Sequence, residues 1–357
     1  PERRKKLKAS MLSRGLGENP EAARAVFEKT KEEVANKTMG PAMTEEEVTA
    51  KHGPHWNMVR RFGIEQGVNS KGERKFRGVD DHSESGNNPA AERRQKIPMA
   101  MVHHIMLMIR MVAMWFPQVS WPDIKVDPLG ATEDLKGAYR QIALLAAHVS
   151  LCITAVFNPE SGTIDYHELY GQPFGAGHAV PNFCRVAEWA CRVCRRLLHL
   201  MMEHFFDDYF LIEPEFAIAS AVWSFRRVMH AFGFALETEK SQLPAKVWEA
   251  LGVVFDMSAI RATNALLVRP KEARVKNFCT EVDTAVLKTK KLPPSHSSRL
   301  VGKFGFLCDT MFGRVGRAGT GALRARQYEL HSDSSLTPAI LAGLGWCKAA
   351  ATCSPPR

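Results

Sequence analysis

Apolar positions recur at helical spacing over residues 20–37, 97–116, 181–203 and 216–232, and gather into short β-rich runs over 150–156, 163–169, 205–212 and 247–255. Asn158, Pro159, Glu160, Ser161 and Gly162 separate the first two of these runs with strong turn chemistry, which predicts a hairpin. Gly67 to Gly72 lies between two extended stretches in a segment rich in basic residues, which predicts a second, basic hairpin over 61–88. Thr44 followed by Glu45, Glu46 and Glu47 has the form of a helix start. Strands, helix, hairpin, helix and strand in this order predict an α+β fold with helices on one face of a sheet. Neither an internal repeat nor a low-complexity tract interrupts it.

The longest apolar run, residues 99–116, is broken by His103, His104 and Arg110, so it reads as a buried amphipathic helix and not as a membrane span. No apolar signal-peptide core follows the charged start at Glu2 to Lys6, so an intracellular protein without a membrane partner is expected. The 357 residues are 45% hydrophobic, which excludes general disorder, and the formal net charge of +10 favours a polyanionic partner. The eight cysteines include one close pair, Cys191 and Cys194, with no second pair to complete a zinc site, and they read as reduced, mostly buried thiols. A first residue other than methionine and an end in Ser354, Pro355, Pro356 and Arg357 suggest a piece of a longer protein.

Within the 205–212 run, Phe205, Phe206, Asp207, Asp208, Tyr209 and Phe210 place two carboxylates at the tip of an otherwise apolar hairpin. Two aspartates in a turn commonly do no more than bond their own backbone. Apolar flanks on both sides change that balance, because unpaired carboxylates are costly to bury. Two like charges about 4 Å apart repel by roughly 4 kcal/mol at an effective dielectric near 20, so such a pair protonates or recruits a cation. Hard, oxygen-liking Mg²⁺ is held by one or two carboxylates with substrate phosphates, and two such ions clamp an in-line phosphoryl displacement. That chemistry requires a further carboxylate from another strand, for which Asp134 is the best candidate.

Asp134, followed five residues later by the aromatic Tyr139, resembles motif A of reverse transcriptases. Gln172, Pro173, Phe174 and Gly175, with Pro181 and Phe183 downstream, resemble their motif B, and Phe205 to Asp208 resembles motif C. Upstream, Lys75, Phe76, Arg77, Gly78, Val79, Asp80 and Asp81 followed by Asn87 are similar to the basic fingers segment that grips a triphosphate. Downstream, Gly233 to Lys240 resembles motif D and Leu251 to Phe255 the primer grip. These matches stand in the family's order over residues 61–257, and the fingers and residues 298–326 are similar to those of retrotransposon enzymes, including tyrosine-recombinase elements.

The resemblance implies a right-hand polymerase with a ferredoxin-like palm, fingers and a helical thumb. It implies an N-terminal helical accessory segment at 1–58, fingers at 59–130 and a palm with motifs A to E at 131–260, from which a hairpin over 142–170 returns to the fingers. A thumb-like helical region at 261–330 and a tail, or the start of a truncated downstream region, at 331–357 complete it. The implied activity is RNA-directed DNA synthesis from dNTPs on a primed RNA or DNA template, with two Mg²⁺ ions for which Mn²⁺ can substitute. Asp134, Asp207 and Asp208 would be the catalytic, metal-binding carboxylates, and Lys71, Lys75 and Arg77 would neutralise the triphosphate. Tyr139 would exclude a 2′-hydroxyl, Phe174 and Gly175 would line the nascent base pair, and Lys240 would assist pyrophosphate departure.

Two features depart from the family pattern: His82 to Gly86 stands where many relatives carry an arginine, and the first motif C aromatic is Phe205. They keep open the alternative of a catalytically silent nucleic-acid-binding protein derived from a retroelement. A polymerase that makes RNA is disfavoured by Tyr139, and no RNase H carboxylate set is visible in the remaining tail.

Overall fold

Helix starts follow their capping residues. After α1 (Glu2–Arg14), α2 (Pro20–Ala35) opens with Asn19 Oδ1 accepting from the Ala22 N–H at 3.0 Å and proline at its first position. α3 (Glu45–His52) opens with a reciprocal capping box: Thr44 Oγ1 accepts from the Glu47 N–H at 3.2 Å and Glu47 Oε2 from the Thr44 N–H at 2.7 Å. There follow β1 (Met58–Val68), β2 (Arg74–Asp80), α4 (Asn87–Ala90), α5 (Val102–Trp115), β3 (Pro128–Asp134), α6 (Ala146–Val149), β4 (Ile153–Phe157), β5 (Ile164–His167) and α7 (Ala179–Leu197). Next come β6 (Met202–Phe205), β7 (Asp208–Pro214), α8 (Ile218–Ala231), β8 (Gln242–Ala245), β9 (Val247–Ala250), β10 (Val253–Asp256), α9 (Ile260–Thr263) and β11 (Leu267–Pro270). The chain closes with α10 (Glu272–Glu281), α11 (Pro294–Cys308), α12 (Gly321–Arg326) and α13 (Pro338–Cys353). This is a computed structural model, and it describes residues 1–68, 72–91, 99–117, 123–329 and 333–353.

The chain divides into two units. The first comprises Pro1–Pro98, Leu135–Ala190 and Met229–Leu236. Its sheet has the order β2-β1-β4-β5, with β1 parallel to β4 and the outer pairs antiparallel. Both hairpins expected from turn chemistry are there, β1 with β2 and β4 with β5. Leu7, Met11, Val48, Trp56, Met58, Ile153 and Tyr166 form one core, and Val26 and Phe27 of α2 pack on Val156 in another. The N-terminal helices thus supply part of this unit's interior.

The second unit comprises Met99–Asp134, Cys191–Val228 and Glu237–Arg357. It holds an antiparallel sheet of order β6-β7-β3-β8 and a three-stranded antiparallel sheet, β11-β10-β9. α5 buries Val102, Ile105, Met108, Ile109 and Val112 against Phe210, Ile212, Trp248 and Phe255, as the broken apolar run predicted. Among the described residues no helix is long and apolar enough to cross a membrane. Gly130 on β3 has a packing reason: a Cβ there would lie 2.1 Å from Cε2 of the buried Trp248 indole.

Three stretches differ from the sequence pattern. The helix expected over 181–203 ends at Leu197, and Met202–Phe205 instead pairs with β7 as a strand, a tertiary pairing that overrides helical spacing. The run 247–255 is two strands, reversed at Leu251 and Gly252, both at positive φ. Residues 338–353, expected in a tail or the start of a downstream region, form α13, whose Ile340, Leu344 and Cys347 join Phe278, Leu300, Phe304 and Leu307 in a helical core. Six of the eight cysteines are buried.

Candidate active site

In the second unit, the register of β3 against β7 sets Asp134 directly opposite Asp208. Like charges at such cross-strand positions sit close enough to destabilise one another. β6 and β7 are joined by Phe206 and Asp207, with Phe206 in the left-handed region at φ 54°. The turn brings Asp207 near the same point, since both Asp207 and Asp134 act on the ionisation of Asp208.

Strand alternation separates Asp134 from its neighbour Glu133. Glu133 is buried and its Oε1 accepts from Arg226 Nε and Nη2 at 3.0 and 2.7 Å, while Oε2 accepts from Ser241 Oγ at 3.0 Å. Asp134 emerges beside the other aspartates, where its Oδ2 accepts from Lys240 Nζ at 2.8 Å. That hydrogen bond raises the Lys240 pKa and keeps it cationic. Asp134, Asp208 and Lys240 line a cavity of about 660 Å³, whose wall also carries Glu249, Leu251, Gly252, Lys271, Arg274, Lys303 and Phe306.

Burial is the largest influence on Asp208 and raises its pKa to about 6; Asp207 and then Asp134 push the same way, and Lys240 opposes them. Asp208 nevertheless presents much of its surface to solvent, which screens its repulsion from the neighbouring carboxylates. The sign follows from linkage. A carboxylate whose pKa rises on folding loses stability as pH climbs from about 4 through about 6, and nothing further changes above that. In metal-free buffer at pH 7.5, Asp208→Asn is therefore expected to gain about 1 kcal/mol after screening, or about 2 °C in thermal midpoint, with no gain near pH 4. Equal effects at the two pH values, read by thermal melts, would contradict the clustering.

The donors here are all carboxylate oxygens, mutually repelling and already drawing an ammonium onto Asp134, which fits a hard divalent cation. Among the described residues, no group of three or more His, Cys, Asp or Glu side chains is arranged as a ready-made metal cage. Mg²⁺ is usually held by one or two carboxylates together with substrate phosphates, so a full protein cage is not required.

The remaining candidates fall in the first unit. Tyr139 meets Phe174 edge-on at 5.1 Å between ring centroids and Phe183 at 4.9 Å. Arg77, exposed on β2, holds its guanidinium carbon 5.1 Å from the Phe174 ring, and Lys75 is exposed on the same strand. Gly175 adopts φ 108°, and a Cβ there would lie 2.2 Å from the Asp80 carbonyl oxygen, so glycine is required by a contact inside the chain. Lys71 lies outside the described residues. The structure thus brings together Asp134, Asp207, Asp208 and Lys240 in one unit, and Arg77, Tyr139 and Phe174 in the other.

Sequence reasoning missed the groups beneath these residues. Glu133, Arg226 and Ser241 support β3 from its opposite face, and a buried Arg61–Asp80–Arg140 network lies under Phe174. The available signal was a charged residue inside an otherwise strand-like run, as at Arg61 and Asp80.

No protein-family model matches the sequence, and no curated protein is significantly similar to it. Among solved structures, the chain is similar to that of a foamy viral protease-reverse transcriptase dRH in complex with double-stranded DNA. The TM-score is 0.62 at 10% sequence identity, and the match covers 94% of this chain and 49% of that one. This chain therefore spans about half the length of that relative. At such low identity the likeness shows the fold alone: a mixed α+β fold similar to that of a reverse transcriptase.

Proposed function

We propose that this chain is the polymerase core of a retroelement reverse transcriptase, which extends a primer with dNTPs on a nucleic-acid template. The observation that carries the reading is the register of Asp134 against Asp208, with Asp207 at the turn and Lys240 on Asp134, in a chain whose fold is similar to that of a reverse transcriptase. On this reading the β6-β7-β3-β8 sheet is the palm, the β2-β1-β4-β5 sheet belongs to the fingers and the helices from α10 onward form the thumb.

The reaction joins the primer 3′-oxygen to the α-phosphorus of the dNTP and breaks the bond from that phosphorus to the bridging oxygen, so that pyrophosphate leaves. Asp134, Asp207 and Asp208 would hold two Mg²⁺ ions with the substrate phosphates, supplying activation of the 3′-hydroxyl and neutralisation of the departing charge. Lys240, kept protonated by Asp134, offers positive charge or a proton to the pyrophosphate. Arg77 offers a planar fork for phosphate oxygens, with Lys75 on the same strand as a point charge and Lys71 assigned the same task from the sequence. The net charge of +10 suits a nucleic-acid partner, and contacts to its phosphates make binding weaken as salt rises.

Tyr139 would lie beneath the incoming sugar, its ring held edge-on by Phe174 and Phe183. Tyr139→Ala is expected to lower the preference for dNTPs over rNTPs by about 100-fold, roughly the ~3 kcal/mol that a steric clash of one oxygen supplies. Template-dependent incorporation of single dNTPs and rNTPs measures this and tests the functional reading together with it. Unchanged sugar preference in an active mutant would remove Tyr139 from its assigned place, and absence of template-dependent incorporation by the wild type would count against polymerase function.

A further inference from the structure

In the first unit, charged side chains from α2, β1, β2 and the segment after β3 meet in the interior. Asp80 is fully buried; its Oδ1 accepts from Arg61 Nε at 2.8 Å and its Oδ2 from Arg140 Nη2 at 3.0 Å. Arg61 Nη1 also donates to Glu33 Oε2 at 3.0 Å and to Thr30 Oγ1 at 3.2 Å, and Arg140 Nη2 lies 3.4 Å from the same Glu33 oxygen. Two carboxylates and two guanidiniums thus balance. Burial alone would raise the pKa of Asp80, but Arg61 and Arg140 outweigh it and hold the value at about 2.

The network continues into the candidate sugar site. The Arg140 guanidinium carbon lies 5.4 Å from the Phe174 ring centroid. The Asp80 N–H donates to the Phe174 carbonyl at 2.9 Å, and the tight approach of Gly175 to the Asp80 carbonyl fixes the next residue. Arg140 Nη1 donates to the Gln172 carbonyl at 3.4 Å, while the Gln172 N–H donates to the Tyr139 carbonyl at 3.2 Å. Phe174 is thereby held through both backbone and ring, and its ring is one of the two that hold Tyr139. A desolvated cation over an aromatic face is attracted by the ring's electron-rich centre more strongly than an exposed one, which favours this resting place for the ring.

We propose that Glu33, Arg61, Asp80 and Arg140 form a positioning set that fixes Phe174 and, through it, Tyr139, and so determines how strictly the site rejects a 2′-hydroxyl. The proposal rests on the reading of Tyr139 as the sugar gate and goes beyond it, because it gives α2, in a segment otherwise read as accessory, a part in substrate choice. A reacting group misplaced by about 1 Å can lose on the order of 10²-fold in rate, and a smaller shift of the ring costs less.

The test uses the full chain and the variants Glu33→Gln and Arg140→Lys, the latter keeping charge but losing the planar fork and its stacking. Glu168→Gln serves as the control: Glu168 is a buried carboxylate of the same unit, paired with Lys51 and His52 and outside the network. Both network variants are expected to lower the dNTP-to-rNTP ratio of kcat/KM about tenfold while kcat for dNTP stays within a few-fold, and the control is expected to keep the wild-type ratio. A wild-type ratio in either folded network variant, with Tyr139→Ala relaxed, would overturn the proposal while leaving the gate in place.

A second readout needs no activity and separates this failure from failure of the functional reading. The chain has five tyrosines, so with fluorotyrosine incorporated the ¹⁹F resonance of Tyr139 is assigned by its loss in Tyr139→Phe. That resonance is expected to shift in Glu33→Gln and Arg140→Lys and to stay in place in Glu168→Gln. An unmoved Tyr139 resonance in the network variants overturns the positioning role whether or not the protein synthesises DNA.

Discussion

Asp207→Asn is expected to abolish primer extension, by about 10³-fold or more, while the protein stays folded and still binds a template-primer. The magnitude is that of losing one preorganised electrostatic contact at a reacting phosphoryl group. Fold should survive because asparagine matches aspartate in shape and is at home in turns, and Asp207 sits at the tip between β6 and β7 and not in the core. The same change removes one of the two neighbouring charges that raise Asp208, so the Asp208 carboxyl should titrate closer to its ordinary range. Steady-state extension rates and filter binding of the same duplex check both halves. Activity within tenfold of wild type would remove Asp207 from the chemistry.

Asp80→Ala is expected to cost about 3–5 kcal/mol, because it strands two buried guanidiniums that, among the described residues, share only Glu33 as a remaining carboxylate partner. The sign with pH follows from the direction of the shift. A carboxylate held at about 2 contributes stability that is fully present above its unfolded value near 4 and is lost as pH falls through about 2. The penalty of the substitution should therefore be complete at pH 7 and shrink in acid. Urea unfolding at the two pH values measures it, and a loss below about 1 kcal/mol at pH 7 would show that the network carries little stability.

Local chemistry was legible in the sequence wherever a residue type dictates backbone geometry. Asn19 and Thr44 start helices as capping residues do, and Asn158 to Gly162 turns the chain between β4 and β5. The acidic hairpin was legible for the same reason, since few arrangements put Asp207 and Asp208 between apolar strands. What was not legible depends on partners distant in sequence. β3 reads Pro-Leu-Gly-Ala-Thr-Glu-Asp, a poor strand by propensity, and becomes one because β7 and β8 flank it and Trp248 lies over Gly130.

The same limit hid the supporting charges of the site. Asp80 stands in a segment that reads as a triphosphate grip, yet its carboxylate points inward to Arg61 and Arg140, while Arg77, three residues earlier, is exposed. Glu33 looks like one more solvated charge on an amphipathic helix, and only the packing of α2 on β1 and β2 brings it to Arg61. Leu251 at positive φ carries no sequence signal, so the apolar pattern alone predicts one continuous strand through the reversal between β9 and β10.

The most direct measurement of the central claim is extension of a labelled DNA primer annealed to an RNA template, with the folded wild-type chain, dNTPs and Mg²⁺. The account predicts stepwise, template-directed extension that requires Mg²⁺ or Mn²⁺ and is lost on chelation. Tight binding of the primed template with no extension under either metal would contradict it and leave a silent nucleic-acid-binding protein in its place.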